Sequence, residues 1–256
     1  DVHGSHALSH LNALAPNDIA KVLHRRLHIS LEHLRRLTKF TADAPSALAQ
    51  AHHLSCEACA EANSTRLPHS GKSYHPSHAG RLVHADIVGP FAPSADGGFR
   101  WMLVLVDDHS RFKFVYFMKQ KSEAPNLVRR FVAKFNTMAS THASSPVRVV
   151  GALHTDNAGE FLSSTFKELL DENLISQTTC PPHVHALNGV AERAIRSIMD
   201  LVRVELLSSG LGTSRWTYAA NHAADVLNRT TGPPDGAVSS YELVTGEKPK
   251  VMEIWP

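Results

Sequence analysis

Two hydrophobic periods follow one another along this chain. Between residues 16 and 40, Ile19, Val22, Leu23, Leu27, Leu31, Leu34 and Leu37 recur at near-helical spacing. This predicts one amphipathic helix over 16–40, capped by Asn17 or Asp18. From residue 81 the pattern shortens. The stretches 81–88 (RLVHADIV), 99–106 (FRWMLVLV) and 111–118 (RFKFVYFM) predict three strands, the second almost wholly apolar and so buried on both faces. The short polar link Asp107-Asp108-His109-Ser110 makes them an antiparallel meander. A helix over 122–138 follows, with Ser122, Glu123 and Pro125 at its start. Then come a strand over 147–153, a helix over 163–174 and a short strand over 175–180 that Pro181-Pro182 stops. A long helix over 188–207, ended by Gly210, and a last one over 213–227, ending at Asn228, complete the pattern.

The order β-β-β-α-β-α-β-α-α predicts an α/β fold: a mixed five-stranded sheet flanked by helices. A small helical domain precedes it. The divisions expected are a tail over 1–15, the small domain over 16–69, a linker over 70–80, a core over 81–235, and the start of a further segment over 236–256. Residues 70–79 (SGKSYHPSHA) lack periodicity and are rich in turn formers. In the long helix, Ala191, Ala194, Ile195, Ile198, Leu201, Val202 and Leu206 form an apolar stripe, with Asn188, Glu192, Arg196 and Arg203 as a polar ridge beside it.

Composition narrows the class. The 256 residues are 43% hydrophobic and 20% charged, as in a folded globular protein. A net charge of +2 gives no global basic field, so contacts to nucleic acid must come from local clusters. Six cations against Glu32 on the first helical run (Lys21, Arg25, Arg26, Arg35, Arg36, Lys39) are either a solvated face or a phosphate-contacting one. Three cysteines make no disulfide framework, which fits a reducing intracellular compartment. No apolar run approaches the roughly 18 residues that span a bilayer, so no membrane partner is expected. The chain lacks an initial Met and stops at Ile-Trp-Pro, as a piece of a longer polyprotein would.

Two constellations carry chemistry. Asp86 lies near the end of the first predicted strand, Asp156 follows the fourth, and Glu192 sits on the long helix with 35 residues between it and Asp156. Three carboxylates aimed at one sheet edge suit a hard divalent cation. The bland alternative for Glu192 is an i,i+4 pair with Arg196. The second set is His24 and His28, four apart on one predicted helical face, with Cys56 and Cys59 in a CxxC turn. Two imidazoles and two thiolates supply a closed tetrahedral Zn²⁺ site, which would staple a segment too small to fold well on its own core. His33, His52 and His53 are rival ligands, solvated histidines and a redox CxxC the competing readings. Cys180 reads as a small core residue.

The element order resembles the ribonuclease-H-like fold. The set Asp86, Asp156 and Glu192 resembles the D,D-35-E pattern of retroviral-type integrases. HTDNAGEF and NGVAERAIRS look like the motifs around the second and third acidic residues of LTR-retrotransposon integrases, above all the copia-type branch. HRRLHISLEHLRRL with CEACAEANSTRLPHS is similar to that branch's HHCC pre-integrase zinc segment. WTYAANHAADVLNRT and SSYELVTGEKP look like the helix and tail beyond its catalytic core. The resemblance implies a metal-dependent polynucleotidyl transferase that joins element DNA 3′ ends to target DNA. Two Mg²⁺ (or Mn²⁺) ions would be bridged by Asp86 and held singly by Asp156 and Glu192. One structural Zn²⁺ would sit on His24, His28, Cys56 and Cys59. Asn157, Asn188, Arg193 and Arg196 would contact DNA phosphates, with His154 and His185 as lesser candidates. It also implies a homo-multimer on paired DNA ends, action in the nucleus, and a virus-like particle in the cytoplasm before that. The alternatives are a nuclease of the same fold that only cuts, or a catalytically degenerate zinc- and DNA-binding module. Three departures stand out. Leu27 runs into His28 where the pattern has a Gly between. Ala158 replaces a Gly, at a cost of about 1 kcal/mol if that residue is left-handed. PPHVHALNG replaces the usual stretch before the last motif.

Overall fold

A computed structural model describes residues 10–62, 76, 78–140, 150–179, 188–234 and 236–250. Cys180, His185 and the 181–187 loop lie outside them, as do 147–149 of the fourth predicted strand.

The single helix expected over 16–40 is two, α1 (Pro16–Leu27) and α2 (Leu31–Phe40). The break is at His28, whose backbone turns left-handed (φ 47°, ψ 29°) while its N–H still donates to the His24 carbonyl. Ser30 restarts the helix by accepting from the His33 amide. The apolar period crosses the break because Leu27, Leu34 and Leu37 still share one core. Asn17 does not cap α1; Pro16 opens it, and the Asn17 side chain accepts from the amides of His52 and His53. A short helix, α3 (Glu57–Ala62), follows Cys56.

The sheet has the expected strands: β1 (Val83–Val88), β2 (Trp101–Asp107), β3 (Lys113–Met118), β4 (Ala152–Thr155) and β5 (Ser176–Thr179). Their spatial order is β3-β2-β1-β4-β5. The meander pairs are antiparallel, β4 pairs parallel with β1, and β5 pairs parallel with β4. β4 begins later than expected, so Asp156 directly follows it. The helices are α4 (Ala124–Ser140), α5 (Gly159–Leu162), α6 (Ser164–Glu172), α7 (Gly189–Ser209), α8 (Trp216–Thr230) and α9 (Ser240–Thr245). Glu123, not Ser122, organises the turn before α4, accepting from the amides of Lys119 and Gln120.

Alternation along β2 sorts the two faces. Leu103 and Leu105 join Val83, Ala85 and Leu153 in a core with the phenylalanines of α4 and α6. Met102, Val104 and Val106 join a second core that α7, α8, α1 and α2 complete. The N-terminal helices therefore share apolar packing with the long helix α7. Because Val83 and Ala85 face the α4 side, His84 and Asp86 face the α7 side. The α9 helix, absent from the sequence reading, sets Val244 into the first core. Among the described residues no helix is long and apolar enough to cross a membrane.

Candidate active site and metal centre

Strand register brings two of the three carboxylates together. His84 pairs with His154 across parallel strands, so Asp86 and Asp156, each two residues further on, emerge at one end of the sheet. The Oδ1 of Asp86 accepts from the Ile87 amide (2.8 Å), and the Oδ1 of Asp156 from the Ala158 amide (3.1 Å). Ala158 has φ −64°, so the expected strain is not there. Glu192 lies exposed in the first turn of α7, the helix that covers this face. Burial pushes the Asp86 carboxyl up to about 6; the charges of Asp156 and Glu192 push the same way, while the Ile87 amide and Lys121 oppose them. Asp156 and Glu192 thus both act on Asp86 electrostatically, although the three acids do not form a group close enough to share one ion in this conformation. Among the described residues Glu192 makes no ion pair with Arg196.

The four expected DNA contacts part company. Asn157, Arg193 and Arg196 are exposed. Arg193 opens onto a cleft of about 280 Å³ with Arg111, Lys113 and Ser197. Asn188 is buried at 4% exposure, and its Nδ2 donates to the Ala85 carbonyl on β1 (3.3 Å). It fastens the start of α7 beside Asp86. His154 is a packed residue, bonded through Nδ1 to Thr178 Oγ1 (2.8 Å) and set against the His84 ring. Sequence reading passed over Lys121, which reaches Asp86 electrostatically, pairs with Glu160 (3.0 Å) and lies over Trp101. A lone Lys before a helix carries no signal by itself.

The second constellation closes. His24, His28, Cys56 and Cys59 place one ligand atom each within 4.8 Å of all the others. Cys59 Sγ lies 3.3 Å from His24 Nε2 and 3.6 Å from His28 Nδ1, and Cys56 Sγ 3.9 Å from His28 Nδ1. Zinc bonds of about 2.0–2.3 Å in a tetrahedron give edges of roughly 3.3–3.8 Å, so the set fits one such ion. Burial lowers both imidazoles, His28 to about 4, which keeps them in the neutral, coordinating form. Burial pushes the Cys59 thiol up to about 12, with Cys56 adding to it, and a bound cation is what reverses that. The expected i,i+4 helical face is corrected: His28 reaches the thiols from a left-handed residue just past α1. The rivals His33 and His52 are engaged elsewhere, with Ser30 and Asn17 respectively.

Comparison with known proteins bears on the core rather than on individual site residues. Residues 76–185 match the family model of the integrase core domain. The chain is 26% identical over 201 residues to the retrovirus-related Pol polyprotein from transposon RE2 of Arabidopsis thaliana, covering 78% of this chain and 13% of the relative. It is 29% identical over 179 residues to that from transposon TNT 1-94 of Nicotiana tabacum, covering 70% of this chain and 13% of the relative. The chain thus spans a small part of the curated relatives it matches. Among solved structures, a chain of the simian T-cell lymphotropic virus intasome in complex with PP2A regulatory subunit B56 gamma superposes with TM-score 0.55 at 19% identity, over 90% of this chain and 74% of that one. That likeness is one of fold.

Proposed function

We propose that the chain is a retrotransposon integrase that joins element DNA 3′ ends to target DNA as a metal-dependent polynucleotidyl transferase, a reading supported by the integrase core match over residues 76–185 and by the Pol polyprotein relatives. The observation that carries the proposal is the parallel register of β1 and β4, which sets Asp86 and Asp156 each two residues beyond the paired His84 and His154, with Asp156 and Glu192 both acting on the half-buried Asp86. Such a cluster of acids gains most from a divalent cation. Asp86, Asp156 and Glu192 would hold the metal. Bound Mg²⁺ or Mn²⁺ would polarise the phosphoryl oxygen and lower the pKa of the attacking hydroxyl.

The chain's own residues do the positioning. Each aspartate spends Oδ1 on a backbone amide, which fixes its rotamer and leaves Oδ2 as the ligand oxygen. Asn188 ties the first turn of α7 to β1, which sets where Glu192 stands. Arg193 and Arg196, beside Glu192, hold DNA phosphates on the approach to the site, with Asn157 near Asp156. No side-chain nucleophile is required, since water or a DNA 3′-hydroxyl attacks directly. Zn²⁺ on His24, His28, Cys56 and Cys59 would staple the N-terminal helices. The working form is a multimer on paired DNA ends, derived from a Pol polyprotein and acting in the nucleus.

Incubation of the chain with a labelled element-end duplex, target DNA and Mg²⁺ tests the reading. Joined product is expected from the wild type and none from Asp156→Asn, which should still bind DNA. Cleavage without joining would replace the transferase by a nuclease, and equal products from both proteins would end the catalytic reading.

A further inference from the structure

The four-residue metal centre does not end at its ligands. His24 directs Nε2 at Cys59 and donates Nδ1–H to the Ile29 carbonyl (2.8 Å), a partner on its own stretch of chain. His28 is turned the other way. Its Nδ1 faces both thiols, and its Nε2 lies 3.1 Å from Ser208 Oγ, 180 residues further along. Ser208 sits in the last turn of α7. Its single hydroxyl proton has an acceptor on its own helix, the Glu205 carbonyl (3.2 Å). With that proton on the carbonyl, the oxygen is placed to accept from a hydrogen on His28 Nε2, which leaves the lone pair on Nδ1. That is the tautomer a metal on the thiol side requires. The backbone gives His28 little other guidance, because it stands left-handed between two helices.

We propose that Ser208 is the outer-sphere partner of the metal centre, a positioning residue on the long helix of the catalytic core that holds His28 in its Nδ1-coordinating form. This rests on the zinc reading above. It joins two centres through one element: α7 carries Glu192 in its first turn and Ser208 in its last, sixteen residues and about 24 Å apart along the axis. The packing agrees, since Leu23 and Leu34 of the N-terminal helices share a core with Ile198 and Val202 of α7. Loading the metal therefore fixes the N-terminal helices and the far end of α7 in one event.

The test is zinc affinity, measured on the full chain by competition with a chromophoric chelator. Ser208→Ala should bind Zn²⁺ about 10–100-fold more weakly, as loss of an outer-sphere partner does. Ser208→Thr keeps the hydroxyl and should return to within a few-fold of wild type. Nitrogen-15 NMR of the zinc-loaded wild type should show His28 protonated on Nε2. An alanine variant with wild-type affinity, or His28 coordinating through Nε2, would overturn the role of Ser208. A wild-type chain that takes up no stoichiometric zinc would overturn the metal reading and this proposal together.

Discussion

Asp86 and Asp156 emerge side by side from neighbouring parallel strands, each two residues beyond the paired His84 and His154. The arrangement opposes its own ionisation. Burial and the facing acids raise the Asp86 carboxyl from its usual 3.8 to about 6. A carboxyl raised on folding favours the folded state when protonated. The metal-free protein therefore has that contribution below about pH 4 and loses it as pH rises through 6. Asp86→Asn should raise the metal-free melting temperature at pH 7.5, with the difference gone near pH 4. Mg²⁺ should stabilise the wild type and not the variant. A variant that melts no higher than wild type at pH 7.5 would show that the site stores no repulsion.

The zinc-type cluster leads to a prediction about cooperativity. Leu23, Leu34 and Leu48 share one core with Met102, Val104 and Trp216. Cys59→Ser, or chelation of the wild type, should lower the melting temperature of the whole molecule by several degrees. Calorimetry should show one transition moving. An unaffected main transition preceded by a small separate one would mean that the N-terminal helices are energetically independent.

The elements of the sheet were legible because β2 and β3 are long apolar runs and Asp107 to Ser110 is a plain turn. The three acids stood out by their spacing in the sequence, but only the register of β1 and β4 shows that Asp86 and Asp156 are neighbours. The break at His28 was not, because the apolar period continues across it and no Gly or Pro marks it. Nor was the role of Asn188, since a polar residue at a helix start serves equally as a cap, a ligand contact or a buried clamp. Only the fold shows that its amide reaches Ala85. Ser208 was invisible for the same reason: its partner lies 180 residues away.

Ala158 would be strained only if its position were left-handed, and it is not. Its φ of −64° is open to any residue, and its amide holds Asp156. Ala158→Gly should therefore relieve nothing. It should cost about 0.4–1 kcal/mol through the looser unfolded chain, read as a lower urea midpoint at unchanged slope. A gain in stability would mean that the loop prefers a left-handed residue after all.

Asn188 and Arg193 stand five residues apart at the start of α7 and should fail in different ways. Asn188 is buried and ties α7 to β1 next to Asp86. Removing its amide costs a buried hydrogen bond, about 0.5–1.5 kcal/mol, and frees Glu192 to drift from the aspartates. Asn188→Ala should slow strand transfer and leave DNA affinity and its salt dependence unchanged. Arg193 is exposed and bears its charge toward the cleft of Arg111 and Lys113. Arg193→Gln should weaken DNA binding evenly across sequences and reduce the slope of log affinity against log salt by about one. Filter binding at several salt concentrations, beside the joining assay, separates the two. If Asn188→Ala lowered the salt slope as Arg193→Gln does, the buried amide would be a phosphate contact and the clamp would be the wrong account of it.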